Sequence, residues 1–239
     1  MQRILPRGEI ESLDRTRIPR VRLPQRARVF ADRGARLRAL ANASPVGGYL
    51  SLMACVAEAQ QRALNSFSPA PPDADSLARA TAHDMPPLQA AHGARDPIWR
   101  TLLDPLLADV AAAKSAPPAA LEVCASLRRM LDVSPQAIDE LADTLLAGSA
   151  QATDVAAAPF VMAALQVYWT GMAAALDPAN VPGGPFGVCP LCGSAPVASV
   201  VRSGGAYDGH RYLCCPLCSC ETHLVRVTCS YCSQTQGIA

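Results

Sequence analysis

Aromatic side chains are scarce in this sequence, 5% of 239 residues, although half of all residues are apolar. Alanine makes up much of the difference. It costs least to place in a helix and gives a strand little to pack against, so a sandwich or barrel is disfavoured and a mainly α chain is expected. An export signal is lacking too: the N-terminal stretch is basic but has no apolar run of roughly 7–15 residues and no small-residue cleavage site, which points to a cytoplasmic protein. Sequence signatures of catalysis are missing as well. There is no G-x-S-x-G, Walker loop, G-x-G-x-x-G or H-E-x-x-H, and His83 and His92 stand in a loop-like region without a paired nucleophile. The expectation is a non-enzyme.

One stretch needs weighing as a membrane span, since Val155 to Leu176 holds 22 residues without a charge. It also contains Pro159, Gln166, Thr170 and Gly171, lies between Asp154 and Asp177, and is apolar mainly through alanine. A span carries more Leu, Ile or Phe and a basic flank, so this segment reads as a buried core helix without membrane insertion.

The net charge of +1 hides an asymmetry: residues 1–40 carry eleven arginines against four acids, +7, and the rest of the chain sums to −6. Residues 1–28, rich in Pro and Arg, are expected to form a mostly irregular basic arm. Such an arm either docks on an acidic partner or lies solvated over the chain's own acidic face. Residues 29–180 read as a helical domain. Helices are expected over 29–43, then behind Ser44-Pro45 with Tyr49, Leu50, Met53, Ala57 and Leu64 on one face, from Asp96-Pro97 onward, over 118–131, over 136–146 behind Ser134-Pro135, and over 155–176. Asp177 to Val188 packs three prolines and three glycines into twelve residues and marks the clearest boundary. Short β-type runs follow it.

Eight of the ten cysteines crowd into the last 51 residues, three pairs of them with C-x-x-C spacing. Without a secretory signal this pattern reads as metal or redox chemistry rather than a disulfide framework. Cys189-Pro-Leu-Cys192-Gly193 and Cys215-Pro-Leu-Cys218 are 22 residues apart. A tight turn aims two sulfurs three residues apart at one ion, and the intervening strands and Gly204-Gly205 turn bring the second pair over the first. Residues 186–239 thus form a small β zinc-ribbon or rubredoxin-like module with a tetrahedral four-cysteine site for zinc or iron. Cys229-Ser-Tyr-Cys232 is a third pair, which makes a second module incomplete; Cys214, Cys220, His223 or a partner chain are the candidates to complete it. His223 otherwise reads as structural, Cys214 and Cys220 as spare thiols, and Cys55 and Cys124 as small helix-face residues.

Several segments resemble the formate dehydrogenase accessory proteins of the FdhE type: Arg36 to Ala41 (RLRALA), Pro45 to Leu50 (PVGGYL), Ala57 to Gln60, Pro86 to Leu88, Arg95 to Trp99 (RDPIW), and Ala158 to Phe160 through Tyr168-Trp169. The closest likeness is Cys189 to Ser199 (CPLCGSAPVAS), followed by Gly209 to Leu213 (GHRYL), the Cys215/Cys218 pair, Glu221, His223, Val225-Arg226 and the Cys229/Cys232 pair. The resemblance implies a cytoplasmic assembly factor that binds the catalytic subunit of formate dehydrogenase, with a helical N-terminal domain and two rubredoxin-like modules. It implies Cys189, Cys192, Cys215 and Cys218 as ligands of the first module, and Cys229 and Cys232 as half of the next. Departures from the family are the missing fourth C-x-x-C pair and Thr222 where Trp is usual, from which a shortened chain or a lost second site is expected. Two other function classes compete with this one. A thiol-redox protein would use Cys229 and Cys232. A nucleic-acid-binding ribbon is disfavoured, because residues 186–239 offer Arg202, Arg211 and Arg226 and no lysine.

Overall fold

Prolines and capping side chains punctuate the alanine-rich half of the chain into helices. The computed structural model describes residues 18–70, 72–91, 95–148, 154–204 and 207–236. Among these, seven α-helices are found: α1 (Val29–Ala41), α2 (Gly47–Ser66), α3 (Ala74–Ala82), α4 (Arg100–Ala111), α5 (Pro118–Val133), α6 (Pro135–Leu146) and α7 (Ala158–Ala174). Proline opens α5 and α6, where its missing N–H was unpaired anyway. The helix expected from Asp96-Pro97 begins as a 3-10 turn, Pro97–Trp99, with the Asp96 carboxylate accepting from the Ile98 amide at 2.9 Å, before α4 takes over. Helix α3 was not anticipated. Asp73 starts it, its carboxylate accepting from the Ser76 amide at 2.8 Å.

Helix α7 is the uncharged segment, and its burial explains the composition. It packs against α2, α4 and α6 with Phe160, Val161, Leu165, Val167, Tyr168 and Trp169 all buried. Gly171 lets α7 approach the end of α2, since a Cβ there would sit 2.7 Å from the Phe67 ring. Among the described residues no helix is long and apolar enough to cross a membrane.

A four-stranded antiparallel sheet in the order β1-β4-β3-β2 completes the fold, from β1 (Val21–Arg22), β2 (Ala198–Val201), β3 (Arg211–Cys214) and β4 (Glu221–His223). The segment expected as a mostly irregular arm, residues 1–28, is irregular outside β1 where it is described, but it does not stand apart from the body. Residues 1–17 lie outside the described part, but residues 18–28 are built into the fold. Val21 pairs with Thr222 and is buried, the Tyr212 hydroxyl donates to the Pro19 carbonyl at 3.3 Å, and Arg22 pairs with Glu221 at 2.5 Å beneath the Tyr207 ring. Arg20 donates to the carbonyls of Val181 and Pro182, and Arg26 to those of Leu64 and Phe67 at the end of α2. These guanidiniums satisfy carbonyls that the helix end and the linker leave open, which is why this part of the chain does not hang free. One apolar core runs from Phe30 and Trp99 through α7 to Cys189, Leu191, Leu217 and Cys218.

Candidate metal centre

Each cysteine turn has its own backbone brace. In the first, the Gly193 amide donates to the Cys189 carbonyl and the Cys189 amide to the Ser194 carbonyl, both at 2.9 Å. Gly193 takes φ +79°, the left-handed conformation that closes the turn. In the second, the Cys215 amide donates to the Cys220 carbonyl at 2.9 Å, Ser219 takes φ +58°, and the amides of Leu217 and Cys218 point at the Cys215 sulfur from 3.4 and 3.5 Å. The β2–β3 hairpin, with Ala198 opposite Cys214, folds the second turn onto the first.

Four sulfurs meet as a result. Cys189 Sγ lies 3.5 Å from Cys218 Sγ and Cys192 Sγ lies 3.4 Å from Cys215 Sγ; all four are buried and lie within 4.8 Å of one another. A tetrahedral ion with metal–sulfur bonds of about 2.3 Å requires edges of about 3.8 Å, so the quartet fits a single ion. Disulfides, at about 2.05 Å, do not fit these separations. The sulfurs also act on one another's ionisation. Contact with Cys192, Cys215 and Cys218 pulls the Cys189 thiol far down, whereas contact with Cys189 pushes the Cys215 and Cys218 thiols up. Four buried thiolates cannot coexist so closely without a cation among them.

The helical body grips both turns. From α7, Gln166 Nε2 donates to the Pro216 carbonyl at 3.0 Å, and one helical turn on Thr170 Oγ1 reaches the Leu217 carbonyl at 3.4 Å and the Ser219 hydroxyl at 3.2 Å. The other turn is held through residues 88–90: the Leu88 and Ala90 amides donate to the carbonyls of Leu191 and Cys192 at 2.8 and 3.0 Å, and Trp169 Nε1 donates to the Leu88 carbonyl at 2.9 Å. Gln166 is itself oriented, its Oε1 accepting from Gln60 at 2.8 Å and Arg33 at 3.2 Å. Sequence reasoning missed this support. The signal was present in two polar residues four apart on a helix otherwise apolar all round.

Cys229 and Cys232 do not join the quartet. They form a third turn of the same design, in which the Cys229 amide donates to the Gln234 carbonyl at 2.9 Å, the Ser233 amide to the Cys229 carbonyl at 3.1 Å, and Ser233 takes φ +58°. All ten cysteines lie among the described residues, and the quartet is the single close group of three or more Cys, His, Asp or Glu side chains found there. Cys220 is buried beside it, its thiol pushed up by contact with Cys189, and Cys214 is half-buried. His223 packs edge-on against Tyr212 and His210. Cys55 and Cys124 are buried on α2 and α5.

Comparison with known proteins places this geometry. The family described as "FdhE, N-terminal" matches residues 18–184 and that described as "FdhE, central domain" matches residues 188–226. The chain is 38% identical over 238 residues to the Protein FdhE homolog of Pseudomonas aeruginosa, covering 99% of this chain and 75% of the relative. It is equally identical over 244 residues to the homolog of Edwardsiella ictaluri, covering 99% and 77%. The crystal structure of the FdhE protein from Pseudomonas aeruginosa superposes with a TM-score of 0.72 at 35% identity, covering 91% of this chain and 74% of that one. On the strength of these matches over nearly its whole length, this chain belongs to the FdhE family.

Proposed function

We propose that this chain is a cytoplasmic accessory factor for formate dehydrogenase that binds the enzyme's catalytic subunit and performs no catalysis of its own. The observation that carries this reading is a buried four-cysteine centre set in a chain that matches FdhE across both its N-terminal and central regions. Cys189, Cys192, Cys215 and Cys218 would hold zinc or iron. Zinc would supply a structural cross-link, and iron an electron-transfer centre as well. The work of the chain's own residues is to shape a surface. Gln166, Thr170 and Trp169 fix the two turns on α7, while Arg20 and Arg22 lock the first strand against the linker and Glu221. These bonds hold the cysteine module to the helical body, and both would contribute to the surface that meets the client.

The test is co-purification of the tagged chain with the catalytic subunit, beside formate dehydrogenase activity in cells that lack the chain. Activity is expected to fall without it and to return with the wild type but not with Cys189→Ser/Cys215→Ser, and elemental analysis of the purified wild type should show zinc or iron. Full activity without the chain, together with no co-purification, would refute the reading.

A further inference from the structure

We propose that the open edge of β2 receives an extended segment of the client's catalytic subunit as a fifth strand of the sheet. The inference rests on the reading of the chain as an accessory factor and names how one contact with the enzyme is made. In the order β1-β4-β3-β2, strand β2 has a partner on one side. Val200 stands opposite Tyr212, and the Arg202 amide donates to the His210 carbonyl at 3.0 Å. The backbone groups of Ala198, Val200 and Arg202 therefore turn toward β3. Those of Ser199 and Val201 point the other way, and among the described residues nothing pairs with them. Natural edges are blunted by charge, proline or a covering segment. Here Val197 to Val201 run uncharged between Pro196 and Arg202, and all but Val200 are exposed.

The edge defines its occupant. Two N–H and C=O sets spaced about 6.8 Å apart match another extended backbone. Charge narrows the choice further. On the sheet face that carries Val200 and Tyr212, Arg22 and Arg202 share the one carboxylate of Glu221, and Arg202 Nε is buried without a partner. This surplus positive charge beside the edge suits a segment that brings an acidic side chain next to Arg202. A second copy of this chain is a poorer fit. The four residues of β2 against their twin would cover a small part of the roughly 1,200 Å² that stable association buries, whereas a client strand is one part of a larger contact.

Overlapping fluorescent peptides of about 12 residues, covering the catalytic subunit and titrated with the full chain, test this. An acidic one is expected to bind, more weakly as salt rises, and to slow amide exchange at Ser199 and Val201. Val201→Pro removes an outward N–H and leaves the ladder to β3 intact, so binding should weaken at least about 10-fold. N-methylation of the bound peptide probes the same geometry without altering the protein. Methyl groups on one set of alternate residues should abolish binding, and on the other set should leave it. Protection confined to other amides, equal effects of the two methylated sets, or wild-type binding by Val201→Pro would each overturn the proposal. So would a chain that dimerises without peptide and is made monomeric by Val201→Pro, which assigns the edge to a second copy. A catalytic subunit that co-purifies with the chain while no peptide binds would overturn it too and leave the accessory reading standing. Loss of both would remove that reading as well.

Discussion

Gln166→Leu separates the contribution of the helical body to the cysteine centre from the contribution of the ion. The substitution keeps the size of the side chain and removes its polar end. Three hydrogen bonds go: Nε2 to the Pro216 carbonyl at 3.0 Å, and the two that Oε1 accepts from Gln60 and Arg33. Gln60 keeps its bond to the Ala163 carbonyl, so its loss is partial, and the Gln60 and Arg33 shares fall equally on metal-loaded and metal-free protein. The Pro216 share does not. In loaded protein that carbonyl sits in the second turn and loses its partner, at about 1–3 kcal/mol; in stripped protein the turn opens and water replaces the glutamine. The apparent affinity of the quartet for zinc should therefore weaken by about 5- to 150-fold. Competition against a chromophoric chelator measures this, with thermal melts of both forms beside it. Thr170→Val, which removes a longer 3.4 Å contact and the link to Ser219, should have a smaller effect in the same direction. If zinc affinity in Gln166→Leu stays within about twofold of wild type, or both forms lose the same melting temperature, then α7 does not brace the centre.

Two further outcomes follow from packing and charge. Gly171→Ala gains about 1 kcal/mol of helix propensity, but its Cβ would stand 2.7 Å from the Phe67 ring, and overpacking costs about 1–3 kcal/mol; a melting temperature lowered by a few degrees is expected, and a raised one would contradict the close α2–α7 approach. His223 has its pKa lowered from 6.5 by burial and then by His210. The unfolded chain therefore takes up a proton first, and stability present above that value drains away as pH falls below it. The groups facing it are His210 and the Tyr212 ring, and no anion among these offsets the proton. His223→Gln should flatten the stability profile between about pH 7 and pH 5 relative to wild type, and parallel profiles would sink the assignment.

What could be read from the sequence was whatever is encoded locally. A Cys-x-x-Cys turn carries its own geometry, so the spacing of Cys189, Cys192, Cys215 and Cys218 announced the quartet before any fold was known. Proline positions located the starts of α5 and α6 within a residue or two for the same reason. Helix α3 escaped because its nine residues carry one large apolar side chain, Leu77, and Ala80 alone is buried; the Asp73–Ser76 cap was the available cue. β1 escaped because two residues between prolines and arginines are made a strand by partners some 200 positions away, Glu221 and Thr222. The basic N-terminal bias was real, but Arg20, Arg22 and Arg26 are spent on internal carbonyls and Glu221, which charge counting cannot reveal.

The Pro- and Gly-rich linker over residues 177–188 poses the deeper lesson, because a break in helicity is not a break in packing. Arg20 holds the carbonyls of Val181 and Pro182, Val181 is buried, and the apolar core passes beneath the linker from Trp169 to Leu191 and Leu217. The cysteine module thus borrows a hydrophobic floor from α7 that its own few apolar residues could not build. In return, an ion in the quartet would pin two loops over one side of the helical bundle, and its binding free energy would be shared between module and bundle.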